Sequence, residues 1–260
     1  QTSDHHLDNE ARLVLAGLML IYRIVNFELG FNKSFANYER IVRIVRHDTG
    51  QNGEGWTTCV PGPAGVAIQQ SVPQLEEFSR VAEVWPSLTV PNPNGGAPMK
   101  KFNMEGDELA MFVDAAFVKI FEPKWLAGDP LTALNDVGSI VLTKKIAEKC
   151  FDNWGAAMNQ NLVMDNQVQL TVRGVIADFS VNSDFPLVAL VSYPTLLANK
   201  ASYLNFNDNA WGQCASNHQA YAMLKDPKQF DDANAVLTTV GQKEYAADNP
   251  QSREKHIHQL

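Results

Sequence analysis

A turn, a buried strand and an amphipathic helix follow one another directly in the middle of this chain. The run opens with Gly128-Asp129-Pro130, in which glycine can take a positive φ, aspartate can cap a helix and proline suits the first helical position. These residues predict a short apolar helical turn that begins with Leu131 and Leu134. No catalytic role is needed to explain these residues, so the pattern indicates that they serve to pack the fold.

The strand and the helix that follow are predicted from residue spacing. Residues 140–142 form an apolar run typical of a buried strand. Thr143 is then expected to cap a helix with one apolar and one charged face. The apolar face comprises Ile146, Ala147, Cys150 and Phe151, and the charged face comprises Lys144, Lys145 and Glu148.

The acidic balance of the chain argues against nucleic acid as a partner. The 260 residues carry a formal net charge of −8, whereas phosphate binding needs a basic face. Solubility is the simpler explanation of the acidity. The length allows two modest domains or one domain with a large insertion, and either can bury a core.

The three cysteines fit no zinc pattern, because no two of them have C-x-x-C spacing. Cys150 lies on the apolar face of its predicted helix and is expected to be a small buried hydrophobe. Cys59 and Cys214 lie in loop-like surroundings. A disulfide between them in an oxidising compartment is one alternative, and two free thiols are the other.

An apolar stretch near the N-terminus, residues 13–25, is interrupted only by Gly17 and Arg23. It is shorter than the roughly 20 residues needed to cross a bilayer. Acidic residues precede it and no small-residue cleavage site follows, so it does not have the pattern of a secretory signal. It is predicted to be either a helix of a soluble protein or the end of a transmembrane helix.

The remaining pattern is β-α-β, then a β-rich middle, then β-α-β. Residues 38–46 are compatible with a strand or a helix, because β-branched residues alternate with arginines at every third position. Residues 91–98 combine prolines, asparagines and glycines, which predicts a linker and a subdomain boundary. Asp165-Asn166 predicts a hairpin turn between two strands. Asp226-Pro227 predicts the start of a helix with one apolar stripe.

Signals of catalysis are weak, and no catalytic residue, cofactor or metal is expected. His256 and His258 have spacing that allows two metal ligands on one strand face, but no further ligand lies nearby in sequence and surface histidines are expected. The chain contains no Gly-x-x-x-x-Gly-Lys-Ser/Thr loop and no Gly-x-Ser-x-Gly elbow. The acidic residues Asp107, Glu108 and Asp114 are expected to be solvated strand ends.

Several passages together resemble a known family. They are Phe27-Glu28-Leu29, Asn37-Tyr38-Glu39-Arg40-Ile41, the run 126–151, Leu170-Thr171-Val172-Arg173-Gly174-Val175 and Ser183-Asp184-Phe185. In this order they are similar to the MacB-like periplasmic core domain, which MacB and FtsX-type ABC transporter permeases carry between their first two transmembrane helices. The resemblance covers about residues 25–258.

The resemblance implies an α+β fold in two parts. Residues 27–90 and 215–260 would form a porter-like α/β subdomain, and residues 91–214 would form an inserted, mostly β subdomain. Residues 1–26 would be a membrane-proximal helix, the outer end of the first transmembrane helix, and the second transmembrane helix would begin just after Leu260. The domain would stand in the periplasm of a Gram-negative bacterium, on a permease of the inner membrane.

Two functions follow from the resemblance. The first is a mechanical domain that transmits motion driven by an ABC ATPase on another subunit. Its cargo would be a peptide, an amphiphile or a lipoprotein. A second permease copy or a periplasmic adaptor would be a further partner. The second is a docking module that regulates a partner such as a cell-wall hydrolase. The mechanical hypothesis requires Ile41 and Tyr221 in one connected sheet, and Val25 and Arg253 on one side of the domain. A metal-dependent hydrolase that uses His256 and His258 is the remaining alternative.

Overall fold

Thirteen strands form one connected sheet in the part of the chain that the computed structural model describes. That part comprises residues 15, 18–27, 29–30, 32–50, 53–106, 108–180, 183, 185–204, 209–248 and 255–259. The combination of a large mixed sheet with helices confirms the predicted α+β class.

Strands and helices do not alternate regularly along the chain. In chain order the strands are β1 (Ile41–Gly50), β2 (Gly53–Thr57), β3 (Leu75–Val84), β4 (Ser87–Val90), β5 (Lys100–Asn103), β6 (Leu109–Val113), β7 (Trp125–Gly128), β8 (Ser139–Thr143), β9 (Asn161–Met164), β10 (Val168–Ile176), β11 (Leu187–Ser192), β12 (His218–Leu224) and β13 (Lys255–Gln259). The helices are α1 (residues 18–27), α2 (Gly62–Ser71), α3 (Phe117–Phe121), α4 (Lys144–Phe151), α5 (Tyr193–Ala198), α6 (Lys200–Tyr203) and α7 (Phe230–Asp248).

Strand β1 joins the two ends of the chain. The strand order is β13-β1-β12-β3-β6-β11-β8-β10-β9-β4-β5, with β2 paired to β1 and β7 paired to β10. The first residues of β1 pair antiparallel with β12, so that Ile41 lies opposite Met223 and Arg43 opposite Tyr221. Its later residues pair with β13 and β2. Ile41 and Tyr221 therefore lie in one sheet, as the mechanical hypothesis requires.

The middle of the chain continues the same sheet. Strand β6 pairs antiparallel with β3 and parallel with β11, and β8 pairs parallel with β10. The predicted linker at residues 91–98 is the loop of a hairpin between β4 and β5. The division into residues 27–90 with 215–260 on one side and 91–214 on the other stays a prediction.

Most of the local predictions are confirmed. The sequence left residues 38–46 compatible with a strand or a helix, and residues 41–46 lie in the strand β1. Asp165 and Asn166 have positive φ angles of 52° and 58°, which aspartate and asparagine tolerate in turns, and they begin the three-residue loop between the paired strands β9 and β10. Helix α7 buries Ala233 and Leu237 of its predicted apolar stripe.

The Gly-Asp-Pro run forms the predicted helical turn, with the Ala133 N–H bonded to the Asp129 carbonyl at 3.0 Å, but only one of its two leucines is buried. Gly128 has the expected positive φ of 93°, and the Asp129 carboxylate accepts the Leu131 N–H at 3.0 Å. The residues that follow form turns and no regular helix. Leu134 is buried but Leu131 is 70 % exposed, because a single turn can present only one side to the core.

Thr143 precedes α4 as predicted, but its side chain does not cap the helix. Its hydroxyl makes no hydrogen bond to the first turn. The Asp178 carboxylate instead accepts the Lys145 N–H at 2.9 Å, so a residue distant in sequence satisfies a helix donor. The predicted apolar face is confirmed, since Ile146, Ala147 and Cys150 are buried.

Three apolar clusters fill the core. The first lies beneath α4 and α5 and contains residues of β8, β10 and β11. The second contains Phe35, α3 and parts of β6 and β12. The third holds α2 and α7 against β1 and β12. Strands β6, β8 and β11 contribute to two clusters each, so the sheet carries apolar side chains on both faces.

The antiparallel pairing of β7 with β10 depends on two glycines that lie opposite each other, Gly128 and Gly174. A Cβ atom on Gly128 would lie 2.4 Å from the Arg173 carbonyl oxygen, and one on Gly174 would lie 2.4 Å from Cζ3 of Trp125. We expect Gly128→Ala to lower the free energy of unfolding by about 2–4 kcal/mol, because positive-φ strain adds to a backbone clash.

Urea denaturation of Gly128→Ala measures this loss. Gly96→Ala is the matched control, because Gly96 has a φ of 87° and open space around it, so only the conformational cost of about 1 kcal/mol applies. Equal losses in the two variants would contradict the close approach of the strands.

Candidate functional site: the junction of helix α1 with the sheet

Helix α1 exposes apolar side chains around its whole circumference. Each of the eight large apolar residues within residues 18–27 is between 43 % and 70 % exposed: Leu18, Met19, Leu20, Ile21, Tyr22, Ile24, Val25 and Phe27. A helix that is apolar on every side is typical of one that is surrounded by protein or lipid. Among the described residues, no helix has the length and hydropathy of a membrane span.

A run of turns connects α1 to β1. The Gly30 N–H bonds to the Asn26 carbonyl at 3.1 Å, and the Arg40 N–H bonds to the Asn37 carbonyl at 2.8 Å. Arg40 fixes the end of this connection to the sheet, because its Nε donates to the Leu224 carbonyl at 2.7 Å and its guanidinium pairs with Glu76. The connection is therefore bonded to β12 as well as to the start of β3.

Phe35 anchors the middle of this connection in the core. Its ring packs edge-on against Phe121 and Phe185, with centroids 5.2 and 5.8 Å away. Those two rings also contact Tyr221 on β12, at 5.4 and 5.3 Å. Edge-to-face aromatic pairs of this kind stabilise a structure beyond the area that they bury. One side chain thus couples the segment after α1 to α3 and β12.

A small cleft of about 250 Å³ opens beside this cluster. Phe35, Phe121, Phe185 and Tyr221 form its apolar side, and Arg43 of β1 lies at its edge. Arg43 attracts the Glu83 carboxylate on β3. Burial nevertheless raises the pKa of Glu83 above its usual value, because desolvation outweighs this attraction and the hydrogen bond from Gln219.

A larger cleft of about 500 Å³ is also lined by Phe185. Its other lining residues include Thr143 and Lys145, at the start of α4, and Asp178, after β10. Because Phe185 lines both clefts, the two clefts are neighbours.

The acidic residues considered as candidates do not form a catalytic pair. The Glu108 carboxylate lies 2.8 Å from Lys149 Nζ and 3.6 Å from Lys145 Nζ. Asp114 makes a two-point ion pair with Arg80, at 2.9 Å for each oxygen. Asp107 lies outside the described residues. Each described carboxylate is therefore neutralised by its own cations.

The two histidines of the alternative hydrolase hypothesis pair with β1. His256 and His258 lie on β13, opposite Asp48 and Arg46 of β1. Among the residues that the structure describes, no group of three or more metal-ligating side chains comes together. Arg253 lies outside the described residues, so the expectation that Val25 and Arg253 lie on one side of the domain stays a prediction.

The three cysteines have two different environments. Cys150 is buried and free, and burial raises the pKa of its thiol to about 12, which suppresses its reactivity. Cys59 and Cys214 lie side by side, with their Cα atoms 5.8 Å apart, within the range of disulfides. We propose that they form a disulfide that ties the start of α2 to the segment before β12.

The disulfide is tested by thiol titration of the unfolded protein without reductant. We expect one reactive thiol, that of Cys150, and three would contradict the pairing. Cys214→Ser should lower the free energy of unfolding by about 2–5 kcal/mol, because the bond closes a long loop of the unfolded chain. Cys150→Ser is not a suitable control, since it places a hydroxyl in the core. Reduction of the unchanged protein serves instead and should give the same loss.

The anchoring role of Phe35 has its own test. Phe35 is 8 % exposed, and Phe35→Ala should lower the free energy of unfolding by about 3–5 kcal/mol. Hydrogen exchange should speed up at the amides of Lys33, Tyr38 and Arg40. Phe230→Ala is the matched control, because Phe230 is 38 % exposed and lies outside the aromatic cluster. A comparable loss of protection in both variants would argue against Phe35 as an anchor.

The sequence interpretation did not identify this junction. Phe35, Phe121, Phe185 and Tyr221 come from four separate segments, and no local spacing links them. The available signal was the resemblance of residues 37–41 and 183–185 to family passages, since the first follows Phe35 closely and the second contains Phe185.

The family model described as MacB-like periplasmic core domain matches residues 13–240. None of the curated proteins matches the chain.

Three solved structures are similar in fold. A domain described as part of a permease protein from Porphyromonas gingivalis is 20 % identical, with a TM-score of 0.67, and the match covers 86 % of this chain and 90 % of that one. The periplasmic region of MacB from Actinobacillus actinomycetemcomitans is 11 % identical, with a TM-score of 0.51 over 83 % and 87 % of the two chains. The extracellular domain of the ABC-type transporter YknZ from Gram-positive bacteria is 9 % identical, with a TM-score of 0.53 over 84 % and 98 %.

Proposed function

This chain belongs to the family of MacB-like periplasmic core domains of ABC transporter permeases, and from that premise we propose that it transmits motion from the membrane to a cargo. The family places the domain outside the membrane. The proposal adds that ATP hydrolysis on a separate ABC subunit drives the motion, and that the permease belongs to the inner membrane. The chain has no P-loop of its own.

The observation that carries the proposal is the set of contacts that hold residues 32–40, which lie between α1 and β1, on the sheet. Arg40 bonds the end of the connection to β12, and Phe35 packs it against α3. A displacement of α1 along its axis would therefore act on the sheet through packed and hydrogen-bonded atoms. A flexible linker at this position would absorb such a displacement instead.

The exposed apolar surface of α1 supports its assignment to the membrane boundary. Leu20 and Tyr22 are 61 % and 70 % exposed, and leaving such side chains in water is unfavourable. We propose that residues 1–26 include the outer end of the first transmembrane helix.

The clefts beside Phe185 support contact with a cargo over a purely regulatory docking role. A docking module is expected to present an exposed apolar patch without a cleft. The sheet instead offers clefts of about 250 and 500 Å³.

The proposal is tested on the full-length permease with its ATPase in lipid nanodiscs. Lys101 lies on β5, far from α1 in the strand order, and its side chain is exposed. Spin labels on Lys101→Cys in two copies of the permease should change their separation when ATP is added. The buried Cys150 should resist labelling.

Phe35→Ala should remove the ATP-dependent change while ATP hydrolysis continues, and Phe230→Ala should retain it. A separation that ATP leaves unchanged in the unmodified permease would contradict the transmission of motion. An unchanged response in Phe35→Ala would contradict the route through the aromatic cluster.

A further inference from the structure

The cleft of about 250 Å³ beside Phe35 contains an accessible cation, the guanidinium of Arg43. Arg43 is exposed. Within the described ranges its guanidinium forms no hydrogen bond, and its one interaction is the electrostatic attraction to the Glu83 carboxylate. A planar guanidinium can donate two parallel hydrogen bonds to a phosphate or a carboxylate. The cleft therefore offers a binding point for an anion.

Apolar surface lies directly beside this cation. Arg43 pairs with Tyr221 of β12, and Ile41 lies two residues earlier, on the same face of β1. Ile41 and Tyr221 line the cleft together with Tyr38 and Phe121. An anion that also carries an apolar group would therefore bind more tightly than a bare inorganic ion, because burial of the apolar group adds to its binding.

The segment around this cleft is basic, although the chain as a whole is acidic. Residues 23–46 contain five basic and two acidic residues, a net charge of +3, whereas the whole chain carries −8. Arg40 and Arg46 are paired with carboxylates. Lys33 and Arg43 are exposed, and Lys33 follows Asn32, which lines the cleft. These two cations are therefore available to an external anion.

The position of this basic segment selects the kind of anion. It follows α1, and turns such as the one closed by the Lys33 N–H and the Gly30 carbonyl, at 3.2 Å, keep it close to the end of that helix. Basic residues beside a membrane-spanning helix attract anionic lipids. Tyrosine is common at the same depth, and Tyr38 is 41 % exposed. A phospholipid has both of the parts that the cleft requires, a phosphate and an apolar body.

We propose that this cleft binds an anionic phospholipid of the surrounding membrane, with the phosphate on Arg43, the start of the acyl chains against Ile41 and Tyr38, and Lys33 as a second contact for the charge. The inference rests on the proposed function, because it requires α1 to lie at the membrane boundary. The lipid is a resident of the membrane and not a cargo. Its binding would hold the aromatic cluster around Phe35 at the bilayer surface.

Glu83 competes with the lipid phosphate for Arg43. The Glu83 carboxylate attracts the Arg43 guanidinium and accepts a hydrogen bond from Gln219 at 3.0 Å. Glu83→Gln would remove the charge and keep an acceptor for Gln219. This variant should therefore leave the Arg43 guanidinium free for the lipid.

The binding test uses the 260-residue chain and dihexanoyl phosphatidylglycerol, below its critical micelle concentration, as the probe. Titration followed by the backbone amide resonances of Arg43 and Tyr221 gives the dissociation constant. Arg43→Gln should weaken binding about five- to tenfold, the effect of losing charge-assisted hydrogen bonds. Lys33→Gln should weaken it about two- to fivefold. Glu83→Gln should tighten it about two- to fivefold.

Arg173→Gln is the matched control. Arg173 is also an exposed arginine in a strand, since it lies on β10, but it does not line this cleft. It should leave the dissociation constant unchanged. Equal effects of Arg43→Gln and Arg173→Gln, or no shift of the two resonances up to the critical micelle concentration, would overturn the proposal. Weaker binding in Glu83→Gln would do the same.

Two further probes identify which part of the lipid is bound. Glycerol 3-phosphate carries the anion without acyl chains, and dihexanoyl phosphatidylcholine carries the acyl chains without a net charge. Both should bind more weakly than dihexanoyl phosphatidylglycerol. Equally tight binding of glycerol 3-phosphate would indicate a site for a free anion, and equally tight binding of the phosphatidylcholine would indicate an apolar contact alone. Either result would overturn the assignment to an anionic lipid.

This outcome is separate from that of the nanodisc experiment. A permease that moves with ATP but whose domain binds no anionic lipid would contradict this inference alone. Lipid binding without an ATP-dependent change of separation would contradict the transmission of motion alone.

Discussion

The backbone pairing of β1 with β12 is the constraint on which the rest of the structure depends. Buried backbone N–H and C=O groups need partners, and the first half of β1 finds them on a strand near the other end of the chain. Once that pairing forms, the sheet can extend through β3 into the middle of the chain. The same strand then carries β13 and β2 on its second half. Loss of this pairing would separate both ends from the sheet.

The aromatic cluster joins the segment that follows α1 to the sheet. Phe35 follows α1 by only a few residues, yet its contacts are with α3, Phe185 and, through them, β12. Interlocked aromatic rings resist small displacements, because protein interiors are close-packed. The two clefts that Phe185 lines lie next to this cluster.

Much of the local structure was accessible from the sequence. The buried strand β8, the apolar face of α4 and the hairpin at Asp165-Asn166 all follow from short-range patterns of polarity and turn chemistry. Three strands were missed: β2 and β7 contain glycine, which is depleted in strands, and β4 directly follows Pro86. The prediction that the Thr143 side chain caps α4 was wrong, because the Asp178 carboxylate accepts a backbone N–H at that helix terminus. Asp178 is far from Thr143 in sequence. The junction was accessible only as a family resemblance.

The sequence by itself determined the class of the fold, the element order through most of the chain, and the absence of a P-loop. These properties depend on neighbouring residues, whose spacing and backbone preferences act over a few positions. The tertiary structure decided which strands meet, how Phe35 joins the segment after α1 to the sheet, and that Asp178 bonds to the first turn of α4. Those outcomes depend on side chains brought together from distant segments, and local preferences carry no information about which distant segments come together.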